Sequence, residues 1–157
     1  MEIAFLEAES AMTRREIPVG AVLVEIHSGQ ILARASNHME EWFDPTAHAE
    51  LLVIRIATAA RMTMRLPDCD LYVTLEPCPM CTAAIAFARI RRLYFGAYNP
   101  KGGAVEHGPR LFSLPTCHHR PEVYGGLQER RSVSLLRQFF MNNRSAYGNN
   151  CRTEYIY

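Results

Sequence analysis

Residues 71–81 read Leu-Tyr-Val-Thr-Leu-Glu-Pro-Cys-Pro-Met-Cys. Apolar side chains alternate over Leu71–Leu75, which predicts a strand. The apolar run that follows predicts a buried helix from Cys78 to about Ala88, and Arg92–Gly96 predicts a second strand. A strand–helix–strand order without a hairpin implies a parallel pair joined by a crossover helix. This unit predicts an α/β fold, and the other elements are placed around it.

Two cysteines open the helix of this unit. Cys78 and Cys81 are three residues apart, so they share one face of its first turn. His48 and Glu50 are two residues apart and would diverge on a regular helix. They converge only if His48 lies at a helix entrance, which the upstream Pro45 and the downstream apolar run favour. Two helix N-termini would then direct their positive dipole ends at one metal site.

These four residues predict a catalytic zinc site. His48, Cys78 and Cys81 would be the ligands, and a fourth coordination position would stay open for water, as in catalytic rather than structural zinc sites. Glu50 would be the general base and acid. Taken alone, Cys-x-x-Cys could also be a redox pair or two buried cysteines, and His-x-Glu occurs by accident. The joint pattern is the signature of zinc-dependent nucleobase deaminases.

The rest of the chain predicts one domain with a mixed sheet. The predicted elements are a helix over 2–14, strands over 19–26 and 30–35, a helix over 48–60, a short helical piece near 110–113, an edge strand over 122–124 and a helix over 127–143. Residues 99–116 predict a long, functional surface loop. Together these elements predict a three-layer α/β/α sandwich around a mixed sheet of about five strands. The single domain would span 1–157, with 145–157 as a poorly ordered or divergent tail.

Composition sets limits on the partners. The chain has 157 residues, of which 48% are hydrophobic and 21% charged, and a formal net charge of +1. No global positive field indicates nucleic acid, so an RNA contact would need a local patch. The stretch 1–16 lacks the apolar segment of a signal peptide, and no run of residues predicts a membrane span. Five cysteines with no pairing pattern, beside a zinc site, favour a reducing cytoplasm.

Beyond these patterns, the chain resembles the bacterial tRNA-specific adenosine deaminases, within the cytidine-deaminase-like superfamily. The matching stretches are 16–24, 44–50, 71–78 and 89–97, with weaker matches at 100–104 and at His119–Arg120. The resemblance covers nearly all of the chain up to about Arg144. It implies a zinc-dependent homodimer that deaminates the wobble adenosine of a tRNA anticodon loop to inosine.

The resemblance also implies contacts to the substrate. Asn37 would hydrogen-bond the flipped base or its ribose, the backbone of Ala49 would contact the ring, and Asn99 would lie near the nucleotide backbone. Asn37 has an alternative interpretation as a turn residue at the end of a strand, and its residue type alone favours that interpretation.

Basic residues in the loops predict an RNA surface. Lys101, His119 and Arg120 are expected on the loop side of the strand ends that hold the zinc, because ligands of open α/β sheets bind at the carboxyl ends of strands. RNA loops are recognised by splayed bases and by contacts to phosphates. Glu76 is interpreted as a charge that favours the N-terminus of the following helix, in preference to a role as a supporting carboxylate of the site.

Two other functions compete with tRNA deamination. One is a zinc deaminase of free nucleobases or nucleosides, of the guanine or cytosine type. The other is a non-catalytic, zinc-stabilised RNA-binding or scaffold protein. Glu50 argues against the scaffold, because a structural zinc site has no use for that carboxylate. The loop 101–120 favours RNA over a small molecule.

Overall fold

The computed structural model describes residues Met1–Asn143; the predicted tail and Cys151 lie outside this range. Its elements are α1 (Glu2–Thr13), β1 (Gly20–Glu25), β2 (Ile31–Ser36), α2 (Met39–Trp42), α3 (Ala49–Arg61), β3 (Cys69–Leu75), α4 (Pro79–Phe87), β4 (Arg92–Ala97), a 3₁₀ turn (Leu111–Ser113), β5 (Glu122–Tyr124) and α5 (Glu129–Asn142). Within Met1–Asn143, no helix has both the length and the apolarity needed to cross a bilayer.

The five strands form one mixed sheet in the order β2-β1-β3-β4-β5. β1 pairs antiparallel with both β2 and β3, whereas β3, β4 and β5 run parallel. The parallel pair β3–β4 is joined by α4, as the strand–helix–strand pattern predicts. This topology places the carboxyl ends of β3 and β4 side by side, at the edge where α4 begins.

The sheet separates two helical layers. The larger core lies under α3 and α4 and includes Leu23, Val53 and Ile85. On the opposite face α5 packs through Val133 and Leu136, which belong to a second buried cluster. This is the predicted three-layer α/β/α sandwich with a five-stranded mixed sheet.

One element, α2, is absent from the sequence prediction, which places no helix or strand between residues 35 and 48. The turn is closed by a backbone bond from Trp42 to the carbonyl of His38 (3.1 Å). It is tied to the body of the protein by the buried carboxylate of Glu16, which accepts a hydrogen bond from the amide of Glu41 (2.9 Å). The contact joins residues 25 positions apart, so it could not be read from local spacing.

Candidate active site

The predicted ligands lie at two helix entrances. His48 is the N-cap of α3, with an extended backbone (φ −79°, ψ 144°). Cys78 is the N-cap of α4 (φ −71°, ψ 171°), and Pro79 occupies the first turn. Proline fits there because the first amides of a helix have no intrahelical partner. The two N-termini therefore direct their positive dipole ends at one point.

The separations within this cluster fit zinc. The sulfurs of Cys78 and Cys81 each lie 3.6 Å from Nδ1 of His48. All three ligand atoms lie within 4.8 Å of one another. Zn–N and Zn–S bonds of ordinary length at a tetrahedral angle put nitrogen and sulfur about 3.6 Å apart. One imidazole and two thiols are also the donor types that zinc prefers, so His48, Cys78 and Cys81 are positioned to hold it.

Glu50 lies beside the cluster and is only 4% exposed. Its Oε2 is buried and has no hydrogen-bond partner among the described residues. Burial raises the pKa of this carboxyl group to about 7, although the nearby His48 opposes the shift. A carboxyl group that titrates near neutrality and keeps an oxygen free is suited to taking up and releasing a proton.

The two thiols differ in acidity. The hydrogen bond from Cys81 is the main reason that the pKa of Cys78 falls to about 4, despite an opposing effect of burial. The same bond, together with burial, raises the pKa of Cys81. Cys78 is therefore the thiolate of the pair, and a divalent cation favours the same form at Cys81 because coordinating thiols are deprotonated.

Asn37 and Ala49, both predicted to contact substrate, contact each other. Oδ1 of Asn37 accepts a hydrogen bond from the amide of Ala49 (3.0 Å). The backbone amide of Asn37 donates to the carbonyl of Val19 (3.1 Å), which extends the hairpin beyond β2. Asn37 is thus a residue at a strand end, as the alternative interpretation holds, and its side chain reaches the first turn of α3.

The loop between β2 and α3 forms one rim of the site. The rings of His38 and Trp42 stack with centroids 4.4 Å apart. The amide of His38 donates to the carbonyl of Ala47 (3.0 Å), immediately before His48. Trp42 is 52% exposed on this rim. An exposed aromatic side chain therefore lies on the loop whose backbone is bonded next to the ligand His48.

The loop after β4 forms the facing rim, and Glu76 holds it. This carboxylate accepts hydrogen bonds from the amides of Asn99 (2.8 Å) and Glu106 (2.8 Å) and from Nδ1 of His107 (2.8 Å). Burial alone would raise the pKa of Glu76, but these donors outweigh it and the pKa is lowered. The interpretation of Glu76 as a helix N-terminal charge is therefore wrong. Its partners lie 23 to 31 residues later in the chain, beyond any local pattern.

The structure separates the predicted RNA-contacting residues. Asn99 and Lys101 lie on the loop at the carboxyl ends of β3 and β4, and Oδ1 of Asn99 accepts from the amide of Gly102 (2.9 Å). His119, in contrast, bonds through Nε2 to the carbonyl of Ile90 (2.6 Å), just before the amino end of β4. Arg120 follows it there and reaches the carbonyl of Leu114 (3.5 Å). The expectation that His119 and Arg120 lie at the zinc edge is wrong, because the loop descends the full height of the sheet before β5.

A mixed α/β/α sandwich with an N,S,S ligand cluster beside a buried carboxylate defines the class of cytidine-deaminase-like zinc proteins. Residues 1–97 match the family described as cytidine and deoxycytidylate deaminase zinc-binding region. The chain belongs to this deaminase family.

Relatives within the family are similar over most of their length. A tRNA-specific adenosine deaminase of Agrobacterium fabrum is 60% identical over 92% of this chain and 93% of its own. A tRNA-specific adenosine deaminase of Rickettsia bellii is 42% identical over 92% of this chain and 99% of its own. A solved structure from work on A-to-I editing by tRNA:A34 deaminases at the wobble position of transfer RNA superposes with a TM-score of 0.83. That structure is 60% identical and covers 87% of this chain and 97% of its own.

Proposed function

We propose that the protein is a tRNA adenosine deaminase. It would use one bound zinc ion to deaminate the wobble adenosine of an anticodon loop hydrolytically to inosine. The observation that carries the chemistry is Glu50, a buried carboxyl group with an unpartnered oxygen beside the three-ligand cluster. Similarity to proteins named for this substrate, at 60% identity in both sequence and structure comparisons, supports the choice of substrate.

Glu50 would move the protons of the reaction. Bound zinc supplies Lewis-acid chemistry, because it lowers the pKa of water so that a nucleophile forms near neutral pH. Glu50 takes a proton from the attacking water and gives it to the ring nitrogen beside the amidine carbon. Once the C–O bond has formed, Glu50 takes the second proton from the added hydroxyl and gives it to the amine as the C–N bond breaks. Adenosine and water thus become inosine and ammonia.

The two rims would position the substrate. Asn37 and the first turn of α3 lie on one side, and the loop with Asn99 and Lys101 lies on the other. An entrance made of loops fits a base flipped out of a single-stranded RNA, which loses little stacking energy on leaving a loop. Lys101, which is exposed at this edge, would contact a phosphate of the RNA.

Substrate choice is tested by comparing RNA with small molecules. Purified protein is incubated with an anticodon stem-loop that carries a wobble adenosine, with the same RNA carrying guanosine there, and separately with free adenosine, guanine and cytosine. We expect inosine only in the first RNA, with free adenosine a very poor substrate. Turnover of a free base without inosine in the RNA would favour the small-molecule deaminase.

We further propose that the protein is a homodimer. An apolar groove of about 950 Å³ runs between α3, α4 and the 3₁₀ turn. At its margin Met62 is 93% exposed and Phe87 77% exposed. Exposed apolar patches of this kind mark protein interfaces. A second copy of the chain is the proposed occupant, as the resemblance implies.

The location and extent of the domain are also proposals. Cys69 and Cys117 are free thiols among the described residues, which supports a reducing, cytoplasmic location. One sheet spans the described part of the chain, which supports a single deaminase domain over 1–157. Cell fractionation tests the first proposal, and limited proteolysis, with one resistant fragment expected, tests the second.

A further inference from the structure

Glu76 accepts more hydrogen bonds than a charge at a helix terminus needs. Its side chain is 0% exposed. Besides Asn99, Glu106 and Nδ1 of His107, it accepts from the amides of Val105 (3.2 Å) and His107 (3.0 Å), which makes five donors on two oxygens. Three of these donors are the consecutive amides 105–107, an arrangement that forms a concave nest for an anion. Here the anion belongs to the protein itself.

These bonds fold the loop against the strand ends that carry the zinc ligands. Between the two points held by Glu76, the amide of Ala104 donates to the carbonyl of Pro77 (2.9 Å), next to Cys78. Gly103 passes so close that a Cβ there would lie 2.5 Å from Cδ of Glu76. The loop that includes Lys101 is thus fixed at both ends on a carboxylate two residues before a metal ligand.

Glu76 is not placed to act on the substrate or the metal itself. Oε1 is occupied by three amides, and Oε2 by one amide and one imidazole. A carboxylate with both oxygens engaged in this way has little capacity left to bind a metal or accept a substrate proton. Its structural effect is therefore on the loop.

We infer that Glu76 is a positioning residue for RNA: its buried carboxylate holds the Asn99–His107 loop as the rim on which the anticodon loop docks. The inference rests on the proposed function. A loop held in this way is preorganised, so the RNA does not have to order it on binding. Loss of the anchor should then weaken binding of the RNA while the chemistry at zinc continues.

The test compares Glu76→Gln with Glu25→Gln. Glu25 is a matched control, because it is also a buried glutamate that accepts loop amides, those of His27 and Ser28 (both 2.9 Å), but at the opposite end of the sheet. We expect E76Q to raise KM for the anticodon stem-loop about tenfold or more, with zinc content and kcat at saturating RNA nearly unchanged. E25Q should lower the melting temperature and leave KM unchanged.

A milder variant covers the case in which E76Q does not fold. His107→Phe removes one donor of the five and keeps a ring against Tyr98, whose centroid lies 5.7 Å away. It should raise KM in the same direction by a smaller factor. If E76Q or H107F lowers the melting temperature with KM unchanged, as expected for E25Q, Glu76 has only a structural role. Loss of zinc from E76Q would also overturn the inference.

Amide hydrogen exchange separates this inference from the proposed function. If the wild-type protein forms no inosine in RNA, the proposed function fails by itself. The anchoring of the loop is still measured, because the amides of Val105, Glu106 and His107 should exchange faster in E76Q but not in E25Q. Unchanged exchange at these amides would show that Glu76 does not hold the loop.

Discussion

Glu50 lies two residues after a zinc ligand and keeps one carboxylate oxygen without a partner among the described residues. Glu50→Ala should therefore remove the proton carrier without removing a ligand. We expect kcat to fall about 10²- to 10⁴-fold, with the zinc content and the circular-dichroism spectrum unchanged. Steady-state kinetics with elemental analysis of the same sample measures both. A near-normal rate would mean that another group carries the proton.

Replacement of either ligand thiol should, unlike Glu50→Ala, also remove the zinc. The wild-type chain should carry about one zinc ion, and Cys78→Ser or Cys81→Ser should lose both the metal and the activity. Cys117→Ser is the control, because this free thiol donates to the carbonyl of His119 (3.0 Å), away from the cluster. Elemental analysis of unchelated protein gives the result, and a wild-type protein without zinc would contradict the assignment.

Residues that meet through local spacing could be predicted, and those that meet through the fold could not. His48, Cys78 and Cys81 each follow from a short motif at a helix entrance, and the structure brings them together. Glu76 is next to one of these motifs, yet its partners come from the later loop, so its role was misassigned. The position of His119 depends on how far its loop runs along β4 before β5 begins. Residue spacing in the sequence gives no information on that path.

Among the elements, the β1–β2 hairpin has a turn whose stability should depend on pH. The Ser28 hydroxyl, and then the amides of His27 and Ser28, lower the pKa of Glu25 from 4.5 to about 2. A carboxyl group with a lowered folded-state pKa stabilises the fold fully above its unfolded pKa and loses that contribution as pH falls through the folded one. The stability difference between wild type and E25Q should thus shrink between about pH 4.5 and 2.

Thermal unfolding of the two proteins across this range measures the difference. A difference that stays constant down to pH 2 would show that the Glu25 carboxylate does not stabilise the turn through its charge.

Secondary structure was predictable wherever apolar residues repeat regularly along a long stretch of sequence. Both β3 and β4 and all four long helices lie within about two residues of their predicted bounds. The short helix α2 has only four residues and no buried side chain, so it leaves no apolar period in the sequence. It is instead tied to the body of the protein by a hydrogen bond to the distant Glu16.

At the scale of the molecule, the apolar groove should be an interface between copies. Phe87→Glu introduces a charge at its margin, and we expect the dimer to dissociate. Leu6→Glu is the control, because Leu6 is 59% exposed on α1, outside the groove. Light scattering after size exclusion at micromolar concentration gives the mass. A wild-type protein that is monomeric there would contradict the proposal.

The distribution of basic residues predicts how RNA binding responds to salt. Affinity for the anticodon stem-loop should fall as salt is added, because phosphate contacts release counterions. Lys101→Ala should weaken binding and reduce that salt dependence. Replacing both His119 and Arg120 with alanine should have a smaller effect, because these residues lie near the amino end of β4, opposite the zinc site. An equal or larger effect of the double change would place the RNA along the descending loop.

The ring stack on the β2–α3 rim also has an optical consequence. Trp42 is the one tryptophan of the chain, so its emission can be excited selectively above the tyrosines. Trp42 is half exposed and lies against the imidazole of His38, whose backbone amide bonds to Ala47, the residue before the ligand His48. We expect a nucleotide bound at the zinc cluster, which lies at the same end of the sheet as this rim, to quench or shift the fluorescence of Trp42. A molecule that binds only near His119 should leave the spectrum unchanged, so the protein carries its own reporter of which edge is occupied.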